Sequence, residues 1–135
     1  MKNLLRLSFL PVNADCGLLL LRLWVGLSML LNHGLPKLMH FNDWAAKLPD
    51  PLHVGPKVSL GLSLGSEVLG SVLLILGLFT RFGALLGVIN MSVAFFIVHQ
   101  AKFQGEHPGE LAFVYLGAYL AILFAGSGRM AVDGK

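Results

Sequence analysis

Charge and sulfur are both scarce in this chain of 135 residues. Only 13% of it is Asp, Glu, Lys or Arg, against 56% hydrophobic residues. A water-soluble domain devotes about a quarter of its residues to charge, so the mean hydropathy of +0.75 points to lipid as the solvent. The single cysteine, Cys16, and the lack of any C-x-x-C exclude an internal disulfide framework and an intrinsic dithiol centre. No glycine-rich nucleotide fingerprint, phosphate loop or nucleophile constellation occurs, so the chain carries no complete enzymatic chemistry alone. Its pI is near 9.3, yet the ten Lys and Arg are scattered between apolar runs rather than gathered into a stripe. Nucleic acid is therefore not an expected partner. A modest positive excess is what the flanks of membrane helices carry.

What the chain has in abundance is apolar length. Four segments, at about 16–34, 58–79, 82–98 and 109–126, each approach the ~20 residues that cross ~30 Å of hydrocarbon. Backbone groups in lipid must be satisfied within the segment, which makes these helices rather than strands. A buried soluble bundle would need a polar face on each helix, and none has one. The expected fold is all-α: one domain, an integral four-helix bundle with the lipid bilayer as its first partner.

The opening "MKNLLRLSFLPVNADC" has a basic start, but Pro11 breaks its apolar run and no A-x-A site follows, so it reads as an interfacial arm rather than a secretory signal. With both termini inside, Lys2, Arg6, Arg81, Arg129 and Lys135 lie on the inner side and Lys37, Lys47, Lys57 and Lys102 on the outer, a thin positive-inside margin. The first outer loop is punctuated by Pro36, Pro49, Pro51 and Pro56. Within it Phe41, Trp44, Ala45 and Leu48 share one face at i, i+3, i+4, i+7, which predicts a short amphipathic helix. It is read either as an interfacial aromatic anchor or as a lid over a site between the helix ends.

The polar residues inside the spans define the candidate site. On a 3.6-residue turn Arg22, Gly26, Met29 and His33 share a face, as do Ser63, Glu67, Gly70 and Ser71. Ser92, Phe95, Phe96 and His99 line up on the third helix, with Asn90 pointing the opposite way. Glu110, Gly117 and Ala121 line up on the fourth. At ~1.5 Å per residue, Arg22 and Glu67 lie ~10 and ~18 Å above the inner helix ends. A lone mid-membrane charge costs at least ~2.5 kcal/mol, so an Arg22–Glu67 pair is expected, structural or functional. His33, His99 and Glu110 fall in one outer layer at ~24–27 Å. Gly61 with Gly65, Ser66 with Gly70 and Gly83 with Gly87 are small-x-x-x-small pairs that let backbones approach.

The stretches "LLLRLWVGLSMLLNHGLPKL", "GSEVLGSVLLILGLFTRFGALL" and "HPGELAFVYLGAYLAILFAGSGRMAVD" resemble the DoxX family of small bacterial membrane proteins. The specific pieces are Arg22 with His33-Gly34 and Lys37, Glu67 followed by Gly77 to Arg81, Gly109-Glu110, and the Gly126 to Asp133 ending, where Arg129 and Met130 depart from the usual small residues. The resemblance implies a four-helix bundle in the bacterial cytoplasmic membrane. It also implies, for some members, a role as small subunits of quinone-linked oxidoreductases acting with a partner redox protein.

Three functions remain open at this point. One is a redox subunit whose polar layer binds a quinone through His33, Glu67, His99, Glu110, Arg22 and Lys37, with Phe95, Phe96 and Trp24 as ring-packing neighbours. Another is a haem or metal site built on His33 and His99. The third is a non-catalytic scaffold or small-molecule transporter, which a chain this small would form as a homo-oligomer.

Overall fold

The computed structural model describes residues 1–134; Lys135, counted above on the inner side, lies outside them. All regular structure among the described residues is helical. A short α1 (Lys2–Leu5) lies in an arm whose Leu4, Leu5, Phe9 and Leu10 are all exposed, as an interfacial segment requires. Four long helices follow: α2 (Ala14–Met39), α4 (Pro56–Leu76), α5 (Thr80–Val98) and α6 (Glu110–Ala125), with α3 (Phe41–Lys47) between the first two. The first three are long and apolar enough to span a bilayer, and α6 is a shorter apolar helix.

The boundaries follow from local chemistry. Asn13 caps α2 by accepting the Cys16 N–H at 3.0 Å, and Asp15 sits in the first turn, where its charge suits the helix dipole. α2 then runs to Met39, five residues past the expected end at Gly34. Pro36 does not stop it because a π-helical turn, Leu30–Gly34, precedes the proline. The wider turn relieves the ring's clash with the carbonyl one turn back, and Pro lacks only its own N–H. α4 ends at Leu76 rather than 79 because Gly77 takes the left-handed conformation (φ +70). There the Leu78 N–H bonds back to the Leu73 carbonyl, closing the helix as a glycine cap does.

Both termini meet at one end of the bundle. The Arg129 N–H bonds Asp15 Oδ1 at 3.0 Å, and Val132 and Asp133 donate their N–H groups to Leu76 and Gly77 carbonyls. Asp133 Oδ2 in turn accepts the Thr80 N–H, so the tail of residues 127–133 seals that end. Next to it the bundle is solidly packed by Val25, Leu74, Ala84, Tyr119 and Ile122. Leu20, Trp24, Leu27, Phe82, Ile89 and Phe124 point outward, as lipid-facing residues do. Trp24, 78% exposed, is thus no ring-packing neighbour of an interior site.

Two of the three small-residue pairs are used for close approach. Gly70 and Gly83 meet backbone to backbone, a Cβ on either lying 3.1–3.3 Å from the other's carbonyl oxygen, and Ser66 Oγ donates to the Leu86 carbonyl at 2.9 Å. Gly87 receives the face of Tyr119, whose ring carbons would lie 2.4 Å from an added Cβ. Gly61 and Gly65, by contrast, face open space. Gly87→Ala should therefore destabilise the bundle by about 1–3 kcal/mol, the usual range for overpacking. Gly117→Ala, with no atom within 4 Å of the new methyl, should be neutral or slightly stabilising. Thermal unfolding of the two variants in detergent checks the contrast.

Candidate functional site

Three of the long helices each carry one π-helical turn: Leu30–Gly34, Gly65–Gly70 and Val93–Val98. Such turns are rare and sit often at functional sites, because they give up regular hydrogen bonding to re-aim side chains. The first holds His33, the second holds Glu67, and the third ends immediately before His99. All three residues line one cavity of about 530 Å³ in the half of the bundle away from the C-terminal tail. That size suits a small-molecule site.

The polar wall of the cavity is built on an ion pair. Lys37 Nζ lies 2.7 Å from Glu67 Oε1, with the side chains 13% and 3% exposed. Ser63 Oγ donates to the same oxygen at 3.1 Å, while Glu67 Oε2 is buried with no hydrogen-bond partner. The ammonium also stands 5.9 Å from the Trp44 ring centre, within cation–π reach. His33 meets Tyr115 edge to face at 5.8 Å between ring centres, and the Tyr115 hydroxyl is held by Ser28 Oγ at 2.6 Å. The remaining wall is mostly aliphatic, from Met29, Leu60, Leu86, Met91 and Ala94 among others.

The expected Arg22–Glu67 pair is not formed. Arg22 is fully buried, but its guanidinium donates to the Leu74 carbonyl at 2.8 Å and to the Met130 carbonyl. Asp133 supplies the opposing charge at that end. Arg22 therefore belongs to the tail closure, lies outside the cavity lining, and Glu67 takes Lys37 instead. The planar fork of Arg suits two divergent carbonyls, which residue identities alone do not advertise.

The cavity roof also differs from expectation. Phe41, Trp44, Ala45 and Leu48 do form the apolar face of α3, but that face packs on Leu60, Leu64 and Val68 of α4. The segment that covers the cavity is the one after α3, through Leu48, Pro49, Pro51 and Leu52. Asp50 pins it: the carboxylate accepts from Ser59 Oγ and from the Val54 and Gly55 N–H groups.

Residues 17–100 match the family model of DoxX, so the match runs from the first turn of α2 through α5 and contains the three π turns. The chain belongs to the DoxX family. An uncharacterised protein of Haemophilus influenzae is 42% identical over 74 residues, 51% of this chain and 55% of that protein's own length. A second uncharacterised protein of the same organism is 27% identical over 129 residues, 90% of this chain and 84% of its own. No solved structure matches. Family membership and the apolar helices make this DoxX chain a membrane protein.

His33, Lys37, Glu67 and His99 are thus gathered around one cavity, whereas Arg22 and Glu110 are not among its lining residues. Glu110 begins α6 in an exposed position. His99 commits Nδ1 to the His107 carbonyl at 3.0 Å, tying the loop before α6 to the cavity wall. Phe95 packs against Phe96, Phe103 and Phe113, and neither Phe95 nor Phe96 is among the lining residues. Asn90, expected to point away from His99, lines the same space. The two lie nine residues apart, or ~180° on a regular helix. The extra residue in the π turn between them takes away about 100° of that. Tyr115 was the residue that sequence reasoning missed, and a polar side chain at the level of His33 was the available signal; Ser63 stood on the expected polar stripe, and Asn90 was placed on the wrong side.

Two measurements check this geometry. In double-mutant cycles on thermal stability, Lys37→Met with Glu67→Gln should show coupling of about 0.5–3 kcal/mol, while Arg22→Gln with Glu67→Gln should be additive within about 0.5 kcal/mol. Strong coupling of the second pair would contradict the observed hydrogen bonds.

The Asp50 carboxyl is held below its usual range by the Ser59 hydrogen bond first, then by the two backbone N–H groups. A depressed pKa means the cap is present above the ordinary Asp value and lost only as pH falls through the lower folded value. The roof should therefore resist proteolysis unchanged from neutrality to about pH 4 and loosen below it. Asp50→Ala should be nicked between residues 48 and 55 even at neutral pH.

Proposed function

We propose that this DoxX protein is a membrane-embedded subunit of a redox system, and that its outer cavity binds a quinone or a similar lipophilic small molecule. The observation that carries the reading is a largely aliphatic cavity of about 530 Å³ lined at one place by a polar cluster of Lys37, Glu67, His33 and Tyr115. That combination suits a molecule with an apolar body and a polar head. Lys37 and His33 offer hydrogen bonds to a ring carbonyl, and Tyr115 offers an aromatic wall. His33 and His99, near the aqueous end of the helices, are the groups suited to exchange protons with water.

Three His, Cys, Asp or Glu side chains do not come together anywhere among the described residues. The chain's own contribution is binding and proton exchange, and electron transfer would fall to a partner protein. The sealed terminal end favours binding over passage, since a transporter needs its site to open to both sides. The bacterial inner membrane with both termini inside suits the charge pattern. Burial of Lys37 in its ion pair removes one cation from the outer count and widens the positive-inside margin.

A short-tailed benzoquinone titrated into the purified protein tests the reading. Binding should weaken at least tenfold, about 1.4 kcal/mol, in His33→Ala and in the cavity-filling Ala94→Phe. Glu110→Gln, off the cavity, should bind as the parent does. No binding by the parent would leave the cavity structural and favour a scaffold.

A further inference from the structure

The two oxygens of Glu67 are not equivalent. Oε1 accepts from Lys37 and Ser63, whereas Oε2, buried on a residue that lines the cavity, accepts from nothing. A buried carboxylate oxygen without a donor is the most costly unmet group in the site. Lys37 adjoins it with three N–H bonds, only one of which goes to Glu67. Acceptor and donor thus stand side by side at the polar end of an apolar space.

The space opens toward lipid between α4 and α5. These helices cross tightly at Gly70 and Gly83, and the Ser66–Leu86 hydrogen bond lies just above that crossing. Beyond it they part, with Leu62 on one side and Ile89 on the other, both lining the cavity and both exposed. A molecule dissolved in the bilayer can enter head first there, with its tail left among the lipids.

We propose that the cavity selects lipid-borne molecules whose head donates a hydrogen bond, a phenolic or alcoholic hydroxyl rather than a bare carbonyl. The inference rests on the cavity binding a lipophilic ligand at all. A hydroxyl satisfies both neighbours at once: its hydrogen goes to Glu67 Oε2 and its oxygen accepts from Lys37. A carbonyl accepts from Lys37 and leaves Oε2 as it was. For a quinone couple the site therefore prefers the quinol. A tenfold preference raises the midpoint potential of the bound two-electron couple by about 30 mV.

The test compares three ligands on the wild-type protein under anaerobic conditions: a decyl-substituted benzoquinol, its quinone, and the quinol's dimethyl ether, which has the same ring without donors. The quinol should bind at least tenfold more tightly than the other two. In Glu67→Gln, whose amide nitrogen cannot accept, the quinol's advantage should disappear. Equal binding of quinol and quinone to the wild type overturns the donor selection and leaves the cavity a ligand site. An advantage that persists in Glu67→Gln overturns the role given to Oε2. Binding of none of the three overturns this inference together with the reading on which it rests.

Discussion

The largely buried contact between Lys37 and Glu67 is the constraint around which the cavity half of the bundle is organised. Neither charge can stay unpaired in hydrocarbon, and removing one partner would strand the other. To bring Lys37 opposite Glu67, α2 must continue past Pro36, and it does so only because the Leu30–Gly34 π turn admits the proline. The same turn presents His33 to Tyr115. Trp44 then covers the ammonium, which fixes α3 against α4 and leaves residues 48–52 over the cavity mouth. One electrostatic requirement thus sets the length of a helix, the seat of the loop helix and the polar end of the cavity.

The other buried charge is resolved differently, and the contrast makes the molecule asymmetric. Arg22 takes backbone carbonyls from the Leu74 turn and the C-terminal tail, so its solution draws chain inward and fills space. The left-handed Gly77 is part of that solution, since a side chain there would run into both Ala131 and Arg22. Lys37 and Glu67 instead satisfy each other through one oxygen and leave the space beside them open. A packed, sealed half at the tail and a hollow half opposite follow from these two ways of accommodating charge.

The spans themselves were legible because lipid enforces long apolar runs, and the amphipathic face of α3 was legible because its period is regular. What could not be read were the π turns, which have no side-chain signature. The face extrapolated across the third was rotated, which is why Asn90 seemed to oppose His99, and the first carries α2 past Pro36, which is why Lys37 was assigned to a loop. The partners of Arg22 were hidden for another reason. They are carbonyl oxygens, present at every position, and only the fold decides which two reach the guanidinium.

An apolar space that opens into a bilayer does not stay empty, because unfilled volume costs about 24 cal/mol per Å³ and acyl chains are always at hand. Any ligand must therefore displace lipid, and apolar contact alone gives it little advantage over what it displaces. Discrimination has to come from a difference between occupants. Acyl chains fill the aliphatic part of the cavity as well as any tail, but they bring nothing to Lys37, His33 or Glu67. The few polar atoms at the closed end, held in place by three irregular helical turns, are where a ligand that belongs there can be told from the membrane itself.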